Sequence, residues 1–323
     1  MREHDHGHDH EHDQDDGHDR APPARTHAGH DALDATRPFA LALLANLAYT
    51  AVEAGIGFRI DSLALLSDAL HNLGDALGLA LAWGAARLAM RPATARHTYG
   101  WRRATHLSPL ANALLLVAFS GALIGESLRR FADPGPVPGG IVMLVAAIGI
   151  VVNLGSAALL HGGHSGDLNR RGAYLHLVAD AAVSVAAVLA GLGMLQLGWR
   201  WLDPAMGLGV SVVIVVGSWG LLRDSFRQVM DAVPAQLDPA EVQAFIKSLP
   251  GVDAVHHLHI WAIGSREIAL TAHIERGFAE GHDAFLKQVG HALDERFGIN
   301  HATIQIECGP GCTAGETAQP PHH

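Results

Sequence analysis

The chain has 323 residues, of which 49% are hydrophobic and only 17% charged, against roughly 25% charged in ordinary soluble domains. The charges gather toward the two ends, so the middle is too apolar for a soluble globular protein, and a formal net charge of −10 excludes the basic face that a nucleic-acid partner needs. Cys308 and Cys312 are too few for a disulfide framework, and the polar N-terminal stretch has no apolar segment of the kind a secretory signal carries.

Residues 1–37 open with MREHDHGHDHEHDQDDGHDR, which has no apolar surface to bury and is expected to be a disordered cytosolic tail that gathers metal loosely. From Pro38 to Leu222 six apolar stretches follow, near 38–58, 62–86, 107–128, 138–160, 173–196 and 204–222. Each approaches the roughly 20 residues an α-helix needs to cross a bilayer core of about 30 Å. Arginines decide the orientation: Arg87, Arg91, Arg96, Arg102 and Arg103 lie in the second connection, Arg170 and Arg171 in the fourth, and Arg223 and Arg227 after the last span. Arg129 and Arg130 run against this trend, but the excess predicts that both termini are cytosolic. The expected class is thus an α-helical membrane protein with a six-helix transport domain over 38–222.

Residues 223–307 change character. LDPAEVQAFIKSL carries its apolar residues at helical spacing, VDAVHHLHIWAI and IALTAHIE alternate at period two, a second amphipathic helix follows with Phe285, Leu286, Val289 and Leu293, and ATIQIE closes the segment. The order αββαβ predicts a small α+β cytosolic domain, ferredoxin-like but lacking one strand. Strict alternation puts His257, His259 and Trp261 on the opposite face from His256. Residues 308–323 are expected to be a flexible tail.

Ionisable groups at membrane depth are costly unless paired or hydrated, so they carry the functional signal. LLSDALHNLGDA holds His71 and Asp75 four residues apart, and YLHLVADAAVS holds His176 and Asp180 at the same spacing. An i,i+4 pair stacks on one helix face, so two such helices facing each other bring two imidazoles and two carboxylates to one point. Asp75 lies 13 residues past Ser62, and Asp180 lies 13 before Gly193 on a helix running the other way, which sets both about 20 Å from the outer face. Two nitrogens and two oxygens in a tetrahedral set suit Zn²⁺, whereas Mg²⁺ or Ca²⁺ want six or more oxygens. Hydrogen bonds gluing packed helices are the plainer alternative. Asp68, Glu53 and Asn46 are weaker candidates for a polar path into the site.

SLALLSDALHNLGDALGLAL, HTYGWRRATHL, DLNRRGAYLHLVADAAVSV, DPAMGLGVSVVIV and VHHLHIWAIGSREIALTAHIE together resemble the cation diffusion facilitator family, in order and from about Leu41 to Glu307. The resemblance implies a homodimer with six transmembrane helices and a cytosolic metal-binding domain that exports divalent metal in exchange for protons. It also implies that His71, where other members have Asp, goes with zinc preference. Proton exchange agrees with the chemistry, because His must lose its proton and carboxylates must be ionised to hold metal. By the same resemblance His256, His273, His301 and Glu307 occupy positions where members bind metal between protomers, and Cys308 and Cys312 match a tail pair that some members lend to a neighbour. A solvated tail is the alternative for the cysteines, as ordinary surface histidines are for the cytosolic set and for His161 and His164.

One departure from the family's pattern lies after the second helix, where some members hold a further metal with an acid and two histidines. The matching positions here are Thr94, His97 and Trp101, which leaves one ligand, and His106 stands where members usually carry Glu. An intramembrane metallohydrolase would need an activating Glu as in H-E-x-x-H, which the sequence lacks; a membrane zinc sensor would not require a buried four-ligand cage. A Gly/Ala-rich chain without organelle signals is expected in a bacterial inner membrane, with Cd²⁺, Co²⁺ or Ni²⁺ as secondary cargo.

Overall fold

The computed structural model describes residues 28–161, 168–277 and 281–307, so the His/Asp-rich N-terminal run, His164, Cys308 and Cys312 lie outside the described residues. Six long helices come first: α1 (Ala28–Ile60), α2 (Leu63–Ala89), α3 (Ala104–Ala132), α4 (Gly139–His161), α5 (Leu168–Leu197) and α6 (Leu202–Val229). Helix α1 starts inside the stretch expected to be tail, carried by strong helix formers such as Ala32, Leu33 and Ala35 ahead of its membrane-length part, Leu41–Ile60. Likewise α6 runs past Leu222 to Val229.

Among the described residues five of these helices are long and apolar enough to cross a membrane. The one left out, α2, has the length at 27 residues, but Asp68, His71, Asn72 and Asp75 dilute its apolar character. Three of these four, Asp68, His71 and Asp75, are residues the sequence marks as functional candidates. Leu44, Phe58, Trp83, Val151 and Val213 turn outward and are exposed on the single chain, the apolar exterior that lipid demands.

Helix α4 packs along α5 and α3 along α6, while α2 lies against α1, α3 and α6 and barely touches α5. Glycine sets the α4–α5 spacing, because a Cβ on Gly139 or Gly191 would collide with the backbone of the opposite helix. The start of α2 is pinned by a carboxylate from α6. Buried Asp203 accepts from Ser62 Oγ at 2.5 Å, from the Leu63 amide at 2.8 Å and from the Ala64 amide at 3.3 Å. Helix N-termini leave such amides without partners and attract negative charge. At the same end Arg130 of α3 donates to the Asp61 carbonyl and carboxylate, each at 2.6 Å, and fastens the α1–α2 turn.

The rest of the chain forms α7 (Pro239–Lys247), β1 (Ala254–Gly264), β2 (Glu267–Glu275), α8 (His282–Phe297) and β3 (His301–Glu307). The sheet order is β1-β2-β3, with β1 antiparallel and β3 parallel to the central β2. Val242 and Ile246 of α7 and Phe285, Val289 and Leu293 of α8 cover Val255, Ile260, Leu270 and Ile274. Arg102 and Glu267 pair at close range, Arg103 Nη2 lies 2.9 Å from Asp231 Oδ1, and the Ser265 amide donates to Thr105 Oγ1 at 3.2 Å. These contacts join the β1–β2 turn and the chain after α6 to the foot of α3.

Candidate metal centre

Helices α2 and α5 present their histidine–aspartate pairs to each other. His71 Nε2 lies 3.5 Å from Asp180 Oδ1 and 3.9 Å from Asp75 Oδ2. His176 Nε2 lies 3.0 Å from Asp75 Oδ2 and 3.4 Å from Asp180 Oδ2. The imidazoles meet edge to face with centroids 5.6 Å apart, and ligand atoms of His71, His176 and Asp180 all fall within 4.8 Å of one another. Metal–nitrogen bonds of about 2.0–2.1 Å put the ligand atoms of a tetrahedral zinc ion roughly 3.3 Å apart, so this spacing fits such an ion with small rotamer changes. All four residues read from the sequence are brought together, on two helices that otherwise scarcely touch.

A cavity of about 150 Å³ ends on this cluster. Its walls are Ala42, Asn46 and Thr50 of α1, Asn72, Asp75 and Leu79 of α2, Leu160 of α4, and Ala173 and His176 of α5. Residues near the start of α1 and α5 and the end of α4 share one end of the bundle, the end from which α6 leads into the sheet domain. The opposite side is filled: Tyr49, Leu65, Val142, Val145 and Met194 pack into a buried apolar plug. Asn46 does line the cavity. Glu53 and Asp68 do not line it; both are buried on the plugged side, where Tyr49 donates to Glu53 Oε1 at 2.8 Å. Thr50 and Asn72, wall residues beside the cluster, carry no charge or motif that singled them out in the sequence.

A second cluster forms where the three strands end. His256 Nε2 is 3.2 Å from Glu307 Oε2, His273 Nδ1 is 2.8 Å from Glu307 Oε1, and the His256 and His273 rings are 5.4 Å apart. Antiparallel pairing sets His256 opposite His273, and parallel pairing carries Glu307 to the same edge. Within the chain His301 is not in this cluster. It opens β3 beside Ala269 at the other end of the strand, with its ring 5.5 Å from Tyr99. The face expected for His257 is also corrected. Its φ is +49°, a register shift separates His256 from His259, and its ring stands 5.4 Å from His256 and 5.0 Å from His273. A bulge inserts one residue and resets alternation, which period-two reading does not anticipate.

In the loop after α2, His97 stacks on Trp101 at 4.4 Å and its amide donates to Thr94 Oγ1 at 3.1 Å, so this loop closes on itself. His106 is buried at the foot of α3, on a crevice it shares with Asp224 and Gln228.

A helical membrane bundle with clustered imidazoles and carboxylates at its centre, joined to a small cytosolic α/β domain, defines the class of metal-cation transporters. Residues 39–230 match the profile described as the cation efflux transmembrane domain, and 234–308 match the cation efflux protein cytoplasmic domain. The chain therefore belongs to the cation efflux, or cation diffusion facilitator, family and is a multi-pass membrane protein. Zinc transporter ZitB of Escherichia coli (strain K12) is 39% identical over 271 residues, 82% of this chain and 86% of that protein. The cadmium, cobalt and zinc/H(+)-K(+) antiporter of Bacillus subtilis (strain 168) is 34% identical, covering 80% of this chain and 85% of that protein. A solved metal-bound C-terminal domain of the CzcD transporter is 38% identical, covers 22% of this chain and 99% of that one, and aligns with a TM-score of 0.21.

Proposed function

We propose that the chain exports Zn²⁺ from the cytosol across the inner membrane in exchange for protons. All six helices α1–α6 cross the bilayer, both termini are cytosolic, and the chain works as a homodimer whose ferredoxin-like cytosolic domain lacks one strand. His71, Asp75, His176 and Asp180 hold the cargo. The observation that carries this reading is the cavity that lies among Ala42, Leu160 and Ala173 on the sheet-domain side of the cluster and reaches Asp75, His176 and Asp180, with the Tyr49–Leu65–Val142–Val145–Met194 plug packed on the other side. Such a shape is one half of an alternating-access cycle. Zinc enters from the cytosol and displaces protons, the plug opens as the cavity closes, and outside protons rejoin the ligands and release the metal.

The names of the relatives support zinc as cargo, with Cd²⁺ and Co²⁺ as secondary ions; Ni²⁺ remains chemically compatible with the same donors. Zinc at His256, His273 and Glu307 acts as a regulatory ligand, so the metal is both cargo and signal.

The test is zinc movement into liposomes carrying the purified protein. Transport driven by a proton gradient and abolished by Asp75→Ala is expected. Flux indifferent to the gradient would remove the exchange, and flux unaffected by Asp75→Ala would remove the site.

A further inference from the structure

The cytosolic cluster has three ligating groups, His256, His273 and Glu307, gathered at one edge of the sheet. A structural zinc ion takes four. The fourth position has a candidate that strand alternation hides. Between His256, which pairs with His273, and His259, which pairs with Thr271, β1 has two residues where β2 has one. This bulge bears a left-handed backbone at His257, φ +49°, a conformation that costs an L-residue about 1–2 kcal/mol. Bulges re-aim side chains, and this one turns His257 back onto the face of its neighbour. Three imidazoles then stand with centroids 5.0, 5.4 and 5.4 Å apart, and the Glu307 carboxylate lies against two of them, His256 and His273. The His71–His176 pair in the membrane has a comparable separation of 5.6 Å. Glu275 Oε1 lies 3.7 Å from His256 Nδ1, on the side of the ring away from Glu307, where a carboxylate can orient the imidazole.

We propose that His257 is the fourth ligand, so that His256, His257, His273 and Glu307 form a His₃Glu zinc site complete within one chain. The assignment rests on the regulatory metal site proposed above. It changes what that metal does: the ion ties the end of β3 to the bulge of β1 across β2, and needs no side chain from the partner protomer to fill its coordination.

The test uses the full-length protein in detergent, with the membrane site silenced by Asp180→Ala, titrated with Co²⁺ and followed by visible absorption. Expected are one ion per chain with the intense bands of tetrahedral cobalt, and, in His257→Gly, loss of those bands with affinity down at least about tenfold, since even outer-shell changes at metal sites cost 10–100-fold. Glycine accepts the left-handed backbone, so this variant removes the imidazole and keeps the bulge. His256→Ala separates the two levels of the reading. If His256→Ala weakens binding while His257→Gly leaves bands and affinity unchanged, the fourth-ligand assignment alone is overturned; if neither matters, the cytosolic site itself is overturned. Mixed dimers of His257→Gly with His273→Ala chains, purified through two tags, are expected to show no tetrahedral bands. Recovery to half the wild-type stoichiometry would put the ligand on the partner and overturn the single-chain site.

Discussion

Asp180 is the buried member of the membrane cluster, its side chain 4% exposed against 44% for Asp75 and His176. A carboxylate in that position has to be compensated by metal or protons, because a lone charge out of water costs several kcal/mol. Asp180→Asn keeps the shape and removes the charge, and is expected to reduce zinc flux in proteoliposomes at least about tenfold while the helical circular dichroism is unchanged. Protons compete with metal for the imidazoles and carboxylates, so zinc affinity at this site is expected to fall as pH falls. Calorimetric titrations in buffers of different ionisation enthalpy check this by counting the protons released. At this scale the sequence was informative where one regular period applied. Two His-x-x-x-Asp pairs lie on helix faces by geometry alone, and they converge. His257 was not legible, since its direction depends on a bulge, and the His301 ring meets Tyr99, a residue 202 positions away in a loop whose placement no local pattern encodes.

Among the elements, α2 depends on an anchor outside itself. Asp203 holds the Ser62 hydroxyl and the first two amides of α2 in a buried setting, so Asp203→Ala removes a cap and strands buried donors. The expected loss is about 2–4 kcal/mol, read as a lower midpoint of unfolding in detergent. The α4–α5 seam depends on the absence of side chains at Gly139 and Gly191. Gly191→Val is expected to force the two helices apart at about 1–3 kcal/mol, again seen in thermal unfolding. Apolar stretches in the sequence coincide with the six long helices, five of them apolar enough to cross a membrane, but not with their ends, because α1 and α6 extend beyond their apolar lengths, where helix propensity rather than lipid contact sets the boundary. The cap from α6 onto α2 joins residues 141 positions apart and left no local trace.

For the whole molecule, the foot of α3 connects the two domains through the pairs Arg102–Glu267 and Arg103–Asp231. Exposed ion pairs are each worth about 1 kcal/mol or less, so the link can yield as the bundle moves. Arg102→Glu is expected to uncouple transport from cytosolic zinc, and adding Glu267→Arg to restore it, measured as the zinc dependence of flux in a double-mutant cycle. The domain order was plain in the sequence because composition changes sharply after α6; the contacts between the domains were not, since they join single residues far apart in the chain.

The thin contact between α2 and α5 bears on leakage. Little apolar surface holds these helices together, and what faces across the gap is two acids with two imidazoles. In the exchange we propose, a carrier that has given up its ion and gained no hydrogen ions would have to dehydrate both acids, still negative and mutually repelling, before it could swing shut. In that scheme the idle stroke is the slow one: neutralised carriers would cross and bare ones wait, which would keep an uphill gradient from draining through an empty pore.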